Sequence, residues 1–252
     1  MIFSSKKVTV MGLGRFGGGL GVTRWLLEQG AKVLVTDLAS AENLAPQIKE
    51  LGTHPNLHVV FGEHRIKDFV EADFVVANPA IPTPWNNVFL LAAWNADVLV
   101  TTEIEILVTR LQRKQIIGIT GTSGKSTTAS MIYEGLKYAN IPCHLGGNIG
   151  GSLLTTLKEI NTSDAVILEL SSAMLWWLHR NRTWAPSVAV LTNIEPNHID
   201  WHGSFDEYKK CKELLFDNQE DGDTSITQDQ DATFTGLAIP GSHNQKNAAV
   251  AF

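Results

Sequence analysis

Cysteine is scarce: only Cys143 and Cys211 occur in 252 residues, and no CxxC spacing joins them. That excludes a disulfide framework and a paired-cysteine zinc site, and both thiols are expected as small buried apolar side chains. Long hydrophobic runs are missing as well. No stretch approaches the about 18 apolar residues that a membrane-spanning helix requires, and the opening "MIFSSKKVTV" lacks the apolar core and cleavage site of a secretory signal. A cytoplasmic protein with no membrane segment is expected. Basic residues are not in excess: 20 Lys and Arg face 26 Asp and Glu. Six of those acids and no base fall in "DNQEDGDTSITQDQD" at 217–231, so 20 bases meet 20 acids elsewhere. No nucleic-acid surface is expected from such a balance.

What is present is a globular composition, 44% hydrophobic and 18% charged, in a chain long enough for two modest cores. Short apolar runs alternate with amphipathic stretches. The runs at 7–12, 31–37, 57–62, 73–79 and 96–102 predict buried strands, with helices near 18–29, 41–51 and 86–95. The pattern restarts with strands at 115–120, 164–170 and 187–194 and helices near 124–139, 151–160, 171–181 and 204–216. Continuous Val/Ile/Leu runs separated by helices predict parallel sheets covered on both faces. The polar stretch "TRLQRKQ" at 109–115 is the expected boundary, giving two α/β modules, 1–108 and 109–252.

Each module opens on a glycine turn. In "VMGLGRFGGG" at 10–19, Gly12, Gly14 and Gly17 fit G-x-G-x-x-G between a strand and a helix. Asp37 ends the second strand, where a carboxylate can accept hydrogen bonds from a ribose or base. Backbone N–H groups at a helix start attract phosphate, although such glycines can also serve only tight strand-to-helix packing. In "GITGTSGKSTT" at 118–128, Gly121 and Gly124 permit close backbone approach to phosphates. Lys125 can reach the β- and γ-phosphates, and the Ser126 hydroxyl can ligand Mg²⁺. Ile119 stands where a strict P-loop has glycine, so this is a variant P-loop.

This variant, with its surroundings, resembles the Mur ligases, which form the amide bonds of the peptidoglycan stem peptide at the expense of ATP. The resemblance runs from residue 8 to about 216 and resumes at 236–252. It is carried by "GLGRFG" with Asp37, "NPAIP" at 78–82, "EIEIL" at 103–107, "GITGTSGKST", "GGNIG" at 146–150, "LELSS" at 168–172, "TNIEPNHIDWHGS" at 192–204 and "HNQKNAA" at 243–249. "GGNIG" with "LELSS" is most similar to the D-glutamate-adding branch.

The resemblance implies a Rossmann-like first module holding UDP-N-acetylmuramoyl-L-alanine, and a P-loop α/β second module holding ATP and Mg²⁺. Phosphate passes from ATP to the muramoyl-alanine carboxylate, and the acyl phosphate is attacked by D-glutamate. A cytoplasmic monomer serving cell-wall synthesis, and through it cell shape and division, is implied. The UDP-substrate residues would be Gly14, Arg15, Phe16, Asp37, Ala80, Asn148 and Ser171. Those for ATP would be Gly121, Thr122, Ser123, Gly124, Lys125, Ser126, Thr127, Asn244 and Asn247. Catalytic roles fall on Lys125, His198 and Lys212, and metal binding on Ser126, Glu169, His198 and Lys212, with Lys212 modified by CO₂ to a carbamate.

Residue chemistry leaves other roles open at some of these positions. Glu169 suits a metal or the cap of a helix starting near Ser171 or Ser172. His198 suits a hydrogen-bonded structural role, since Mg²⁺ prefers oxygen. Lys212 suits a solvated helix face in "DEYKKCKELL". The tryptophans, including Trp176, Trp177 and Trp184, suit core and interface packing more than base stacking.

Five positions depart from the family pattern: Phe16, Ser123 in place of asparagine, Asn197 in place of aspartate, and Ala173-Met174 in place of Phe-Gln. Only 19 residues separate Phe216 from Gly236, fewer than in the family, and the family's third module, which binds the incoming amino acid, would follow Phe252. The 252 residues are therefore expected to support at most slow, D-glutamate-independent phosphate release. A non-ligating nucleotide-binding remnant is the alternative. A dinucleotide oxidoreductase is disfavoured, because hydride transfer has no use for a Lys-Ser phosphate clamp.

Overall fold

The computed structural model describes residues 1–14, 17–227, 234, 237–239 and 241–251. The chain divides into two compact units, one of Met1–Leu107 with Gly151–Leu157, the other of Val108–Gly150 with Lys158–Phe252.

The first unit is built on a five-stranded sheet of β1 (Lys7–Met11), β2 (Lys32–Asp37), β3 (Leu57–Phe61), β4 (Phe74–Ala77) and β5 (Leu99–Thr101). The order is β3-β2-β1-β4-β5, and every pairing is parallel. Val8, Val10, Val33, Val35, Val75 and Val76 are buried, as strands covered on both faces require. The helices are α1 (Gly18–Glu28), α2 (Ala45–Leu51), α3 (Ile66–Val70), α4 (Val88–Asn95) and α5 (Glu103–Val108). Pro46 fixes the late start of α2, four residues beyond the expected onset, because proline is tolerated only in a first turn. Asn87 caps α4 by accepting from the N–H groups of Phe89 and Leu90.

The second unit repeats the plan. Its sheet, β6 (Ile116–Thr120), β7 (Cys143–Gly147), β8 (Ala165–Glu169), β9 (Val188–Leu191) and β10 (Thr224–Ile226), runs β10-β9-β6-β8-β7, all parallel. Its helices are α6 (Lys125–Tyr138), α7 (Ser172–Asn181), α8 (Ile199–His202), α9 (Phe205–Glu213) and α10 (Ser242–Ala249). Ile119, Ala129, Ile132, Ile167, Val190 and Val250 form its core between α6 and the sheet.

Two expectations change. The helix foreseen at 151–160 is a 3₁₀ helix over Leu153–Glu159, and the Thr155 hydroxyl turns back to the Ser152 carbonyl at 2.9 Å, a local bond that competes with regular helix. Part of that segment, Gly151–Leu157, packs with the first unit rather than the second. Cys211 is buried, but Cys143 at the start of β7 is only half-buried. Trp177 is in the core, whereas Trp85 is 41% exposed.

In an open parallel sheet, ligands meet the carboxyl ends of strands where the strand order reverses. That point is β1/β4 in the first unit, and in the second it is β6, flanked by β8 and β9. Both glycine turns follow these strands.

Candidate functional site

The first turn leaves β1 at Met11. The Asp37 carboxylate braces it: Oδ2 accepts from the N–H groups of Leu13 (2.9 Å) and Gly14 (3.3 Å), and Oδ1 from Ala39 (2.8 Å). Both oxygens already hold backbone, so any bond to a uridine would be an additional one. Across the reversal, Asn78 follows β4, its N–H bonded to the Met11 carbonyl at 3.0 Å and its Oδ1 to the N–H of Ala80 at 3.0 Å. Gly14, Asp37 and Ala80 therefore gather at one end of the sheet through Asp37 and Asn78. Arg15 and Phe16 lie outside the described residues.

The second turn is held from more directions. Parallel register sets Ile119 beside Glu169, and Thr120 beside Leu191. Thr192 and Asn193, just past β9, clamp the loop. The Thr192 hydroxyl donates to the Ser123 carbonyl (2.6 Å), and Asn193 exchanges bonds with Ser123, accepting from its N–H (3.0 Å) and donating from Nδ2 to its carbonyl (3.0 Å). Tyr208 Oη donates to Thr122 Oγ1 at 3.0 Å. Gly124 sits at φ +80°, and a Cβ there would overlap the Asn247 amide, so α10 closes against the loop through that glycine. Asn244 and Asn247 are buried, with Asn247 Nδ2 donating to Asn244 Oδ1 at 3.3 Å.

At the mouth of this loop, Glu169 is the organising acid. Its Oε2 accepts from Ser126 Oγ at 2.7 Å, and its Oε1 from Asn148 Nδ2 at 2.9 Å. The role left open for Glu169 as a helix cap falls to Ser171, whose Oγ accepts from the Met174 N–H at 3.2 Å at the start of α7. Asn148, expected near the UDP substrate, thus lies against Glu169 together with the P-loop serine.

Two lysines converge on the loop. Lys125 Nζ donates to the Thr122 carbonyl at 3.0 Å. Burial lowers its pKa, with the Glu169 charge opposing. Lys212 is not a solvated lysine: it is 2% exposed, bonds the Gly121 carbonyl at 2.6 Å and lies 4.6 Å from the Tyr208 ring centre. Burial, reinforced by the Lys125 charge, pulls its ammonium down to about 7. Helix α9 presents Tyr208 and Lys212 one turn apart, which puts both on the same face.

His198 is exposed at φ +49°, its ring 6.0 Å from that of Tyr208, so His198 and Lys212 approach the same tyrosine. Sequence reasoning missed the braces Thr192, Asn193 and Tyr208. It also missed His202, whose Nε2 pairs with Ser172 Oγ at 2.9 Å and whose buried ring titrates near 4, chiefly through desolvation. The first two stand inside a quoted motif, but nothing in their spacing marks them as partners of Ser123.

Among the described residues no group of three or more His, Cys, Asp or Glu could hold a metal. The donors present are a hydroxyl, Ser126, and a carboxylate, Glu169. This pair suits Mg²⁺, which binds through few protein oxygens and takes the rest of its octahedron from phosphates and water. His198 and an unmodified Lys212 do not form a comparable set.

Among the described residues no helix is long and apolar enough to cross a membrane. A family model described as the MurD-like N-terminal domain of Mur ligases matches residues 6–102, and one described as the Mur ligase middle domain matches residues 119–238. The chain is 33% identical to the UDP-N-acetylmuramoylalanine--D-glutamate ligase of Treponema pallidum (strain Nichols), over 96% of this chain and 47% of that protein. It is 39% identical to the protein of the same name from Roseiflexus sp. (strain RS-1), over 95% of this chain and 50% of the relative. The chain thus spans about half the length of the curated relatives it matches. In fold it is similar to the crystal structure of UDP-N-acetylmuramate:L-alanyl-gamma-D-glutamyl-meso-diaminopimelate ligase from Neisseria meningitides, with a TM-score of 0.66 at 16% identity, covering 98% of this chain and 92% of that one. With an N-terminal domain of the MurD-like kind joined to a middle domain, the chain belongs to the Mur ligase family.

Proposed function

We propose that this chain carries the nucleotide-sugar and ATP sites of a D-glutamate-adding amide ligase. The first unit takes UDP-N-acetylmuramoyl-L-alanine at the turn braced by Asp37, and the second takes ATP at the P-loop. The observation that carries this reading is the Ser126–Glu169–Asn148 chain at the mouth of a lysine-bearing P-loop. A dinucleotide oxidoreductase would have no use for it.

Phosphoryl transfer to a carboxylate crowds negative charge, so positioning and cations supply most of the catalysis. Lys125, now on the Thr122 carbonyl, swings onto the γ-phosphate. The first turn of α6 offers backbone N–H groups that the helix cannot pair. Ser126 and Glu169 would hold Mg²⁺, which when bound offsets the charge of the β- and γ-phosphates. Asn148 fixes the Glu169 carboxylate, and Asn244 and Asn247 back the loop beside the nucleotide.

Lys212 is prepared for carbamylation. An amine that titrates near 7 is largely neutral at slightly alkaline pH, so its lone pair can form an N–C bond to CO₂ with loss of one N–H proton to solvent. The product is an anion in place of a cation, and only in that form would Lys212, with His198, complete a second cation site. The acyl phosphate formed on the muramoyl-alanine carboxylate then meets the D-glutamate amine, with inorganic phosphate as leaving group.

The test is titration calorimetry on this chain. UDP-N-acetylmuramoyl-L-alanine and Mg·ATP are each expected to bind once, and NAD not to bind. Binding of NAD in preference to the UDP-sugar would sink the reading.

A further inference from the structure

The first sheet is not covered everywhere. Side chains alternate between its faces, and the parallel register sets Thr9 beside Leu34 and Leu34 beside His58 on one of them. Helix α3 reaches that face at β1, where the Thr9 hydroxyl donates to the Asp68 carbonyl. Beyond it Leu34 and Val60 are only half-buried and His58 is exposed, whereas Val33 and Val35 on the opposite face are buried. The uncovered part is the floor of a cavity of about 680 Å³, with Lys7, Lys32, Arg65 and Lys67 among its lining residues.

The cations of this cavity are short of partners. Lys7 and Lys32 are both exposed and stand beside each other in register, on strands about 4.8 Å apart. Like charges so placed repel. Neither strand is an edge that lysine would protect from further pairing, since β1 and β2 lie inside the order β3-β2-β1-β4-β5. Asp73 uses its oxygens on Lys6 Nζ at 3.0 Å and the Lys7 N–H at 2.8 Å. Asp68 is taken by Arg65 at 2.7 Å. Among the described residues no ion pair reaches the ammonium of Lys7, Lys32 or Lys67, and Glu71 is the remaining acid of the lining. Three ammoniums are thus set against one carboxylate, in a chain whose net charge is −6.

We propose that this cavity binds a small phosphate monoester with an apolar body. The dianion sits between the ammoniums of Lys7 and Lys32, which bind phosphate as point charges, and the body lies on Leu34 and Val60. The volume falls among those of small-molecule sites, about 300–1,000 Å³, and exceeds what inorganic phosphate fills, so an organic ester matches it better than the bare ion. The site is separate from the turn braced by Asp37. Lys7 opens β1 and that turn leaves at Met11, about 13 Å further along the strand. Binding here does not depend on the ligase reading above.

The test is amide NMR of the full chain titrated with phenyl phosphate, a probe that carries no nucleotide base. Saturable shifts are expected at the Leu34 and Val60 amides, with a Kd on the order of 1 mM. Inorganic phosphate is expected to bind about tenfold more weakly, for want of the ring's apolar burial, and neutral benzyl alcohol not to saturate. Both lysines are exposed, so the double variant Lys7→Gln, Lys32→Gln keeps the fold, and it is expected to bind phenyl phosphate at least about tenfold more weakly. Lys49→Gln, exposed on α2 outside the cavity, is expected to bind as the parent does. Leu34→Ser is expected to erase the preference for the ester over inorganic phosphate; the parent's own preference is the reading if that variant does not fold. No shift at Leu34 or Val60 at about ten times the expected Kd, or shifts confined to residues 121–126 of the phosphate loop, would overturn the proposal. So would parental affinity in the double lysine variant, or the same saturable shifts with benzyl alcohol.

Discussion

The two glycine turns sit at equivalent points of two parallel sheets, yet they are finished differently. The first is neutralised from within: Asp37 takes the N–H groups of Leu13, Gly14 and Ala39. Among the described residues no acidic side chain bonds the backbone of the second. Neutral groups, Thr192, Asn193 and Tyr208, hold it, while Lys125 and Lys212 rest on its own carbonyls. In the first turn a carboxylate already takes three backbone N–H groups, whereas the second loop carries two lysines close to its backbone.

The sharpest way to break this contrast is Lys125→Ala. Mg·ATP binding is expected to fall beyond detection, by at least about 100-fold, because a charge-assisted contact to phosphate is lost. UDP-sugar binding should stay within about twofold, since the two turns belong to separate units that share no partner of Lys125. Loss of both affinities in a folded chain would mean that the turns do not work separately.

The next effect is on stability, and it has opposite sign in the two units. Glu103 in the first unit is raised from 4.5 to about 7, so the folded state binds more protons than the unfolded one between those values. Stability should therefore fall as pH rises from 4.5 to 7, by up to about 3 kcal/mol, and level off above. Lys212 in the second unit is lowered from 10.5 to about 7, so there the unfolded state binds more protons. In CO₂-free buffer, stability should rise between pH 7 and 10.5 by up to about 5 kcal/mol. Urea unfolding across pH is expected to show the acid-side slope vanish in Glu103→Gln and the alkaline slope vanish in Lys212→Met. Slopes that survive both substitutions would place the titrations elsewhere.

Asp37→Asn sharpens the contrast from the other side. The amide leaves only one oxygen for three backbone N–H groups, and about 2 kcal/mol of stability should be lost from the first unit, with no change in Mg·ATP affinity. An unchanged urea midpoint would show that the brace contributes little. Asn148→Ala, the mildest change, should raise the Mg²⁺ concentration needed for ATP binding about tenfold, as loss of a ligand-orienting partner does. If UDP-sugar binding weakened instead, Asn148 would serve the sugar and not Glu169.

Much of this arrangement was legible in the residues. The runs "KVTVM" and "IIGIT" declare buried strands, and Lys125 and Ser126 follow the second at the spacing a phosphate loop needs. Glycine-rich β7, "CHLGG", has no apolar run to announce it and is a strand because β8 pairs it. Helix α10, "SHNQKNAA", is mostly polar, and its buried Asn244 and Asn247 owe their place to packing. The braces on Ser123 come from residues about 70 positions away, a distance at which local pattern says nothing.

The central claim is that two cradles take two different nucleotides at once. Its most direct measurement is a calorimetric titration of UDP-N-acetylmuramoyl-L-alanine into the chain already saturated with Mg·ATP, compared with the same titration into the free chain. One further equivalent should bind with full stoichiometry and an affinity within a few-fold of that in the free chain. Competition, seen as a stoichiometry collapsing toward zero or an affinity falling in proportion to the ATP present, would contradict the account.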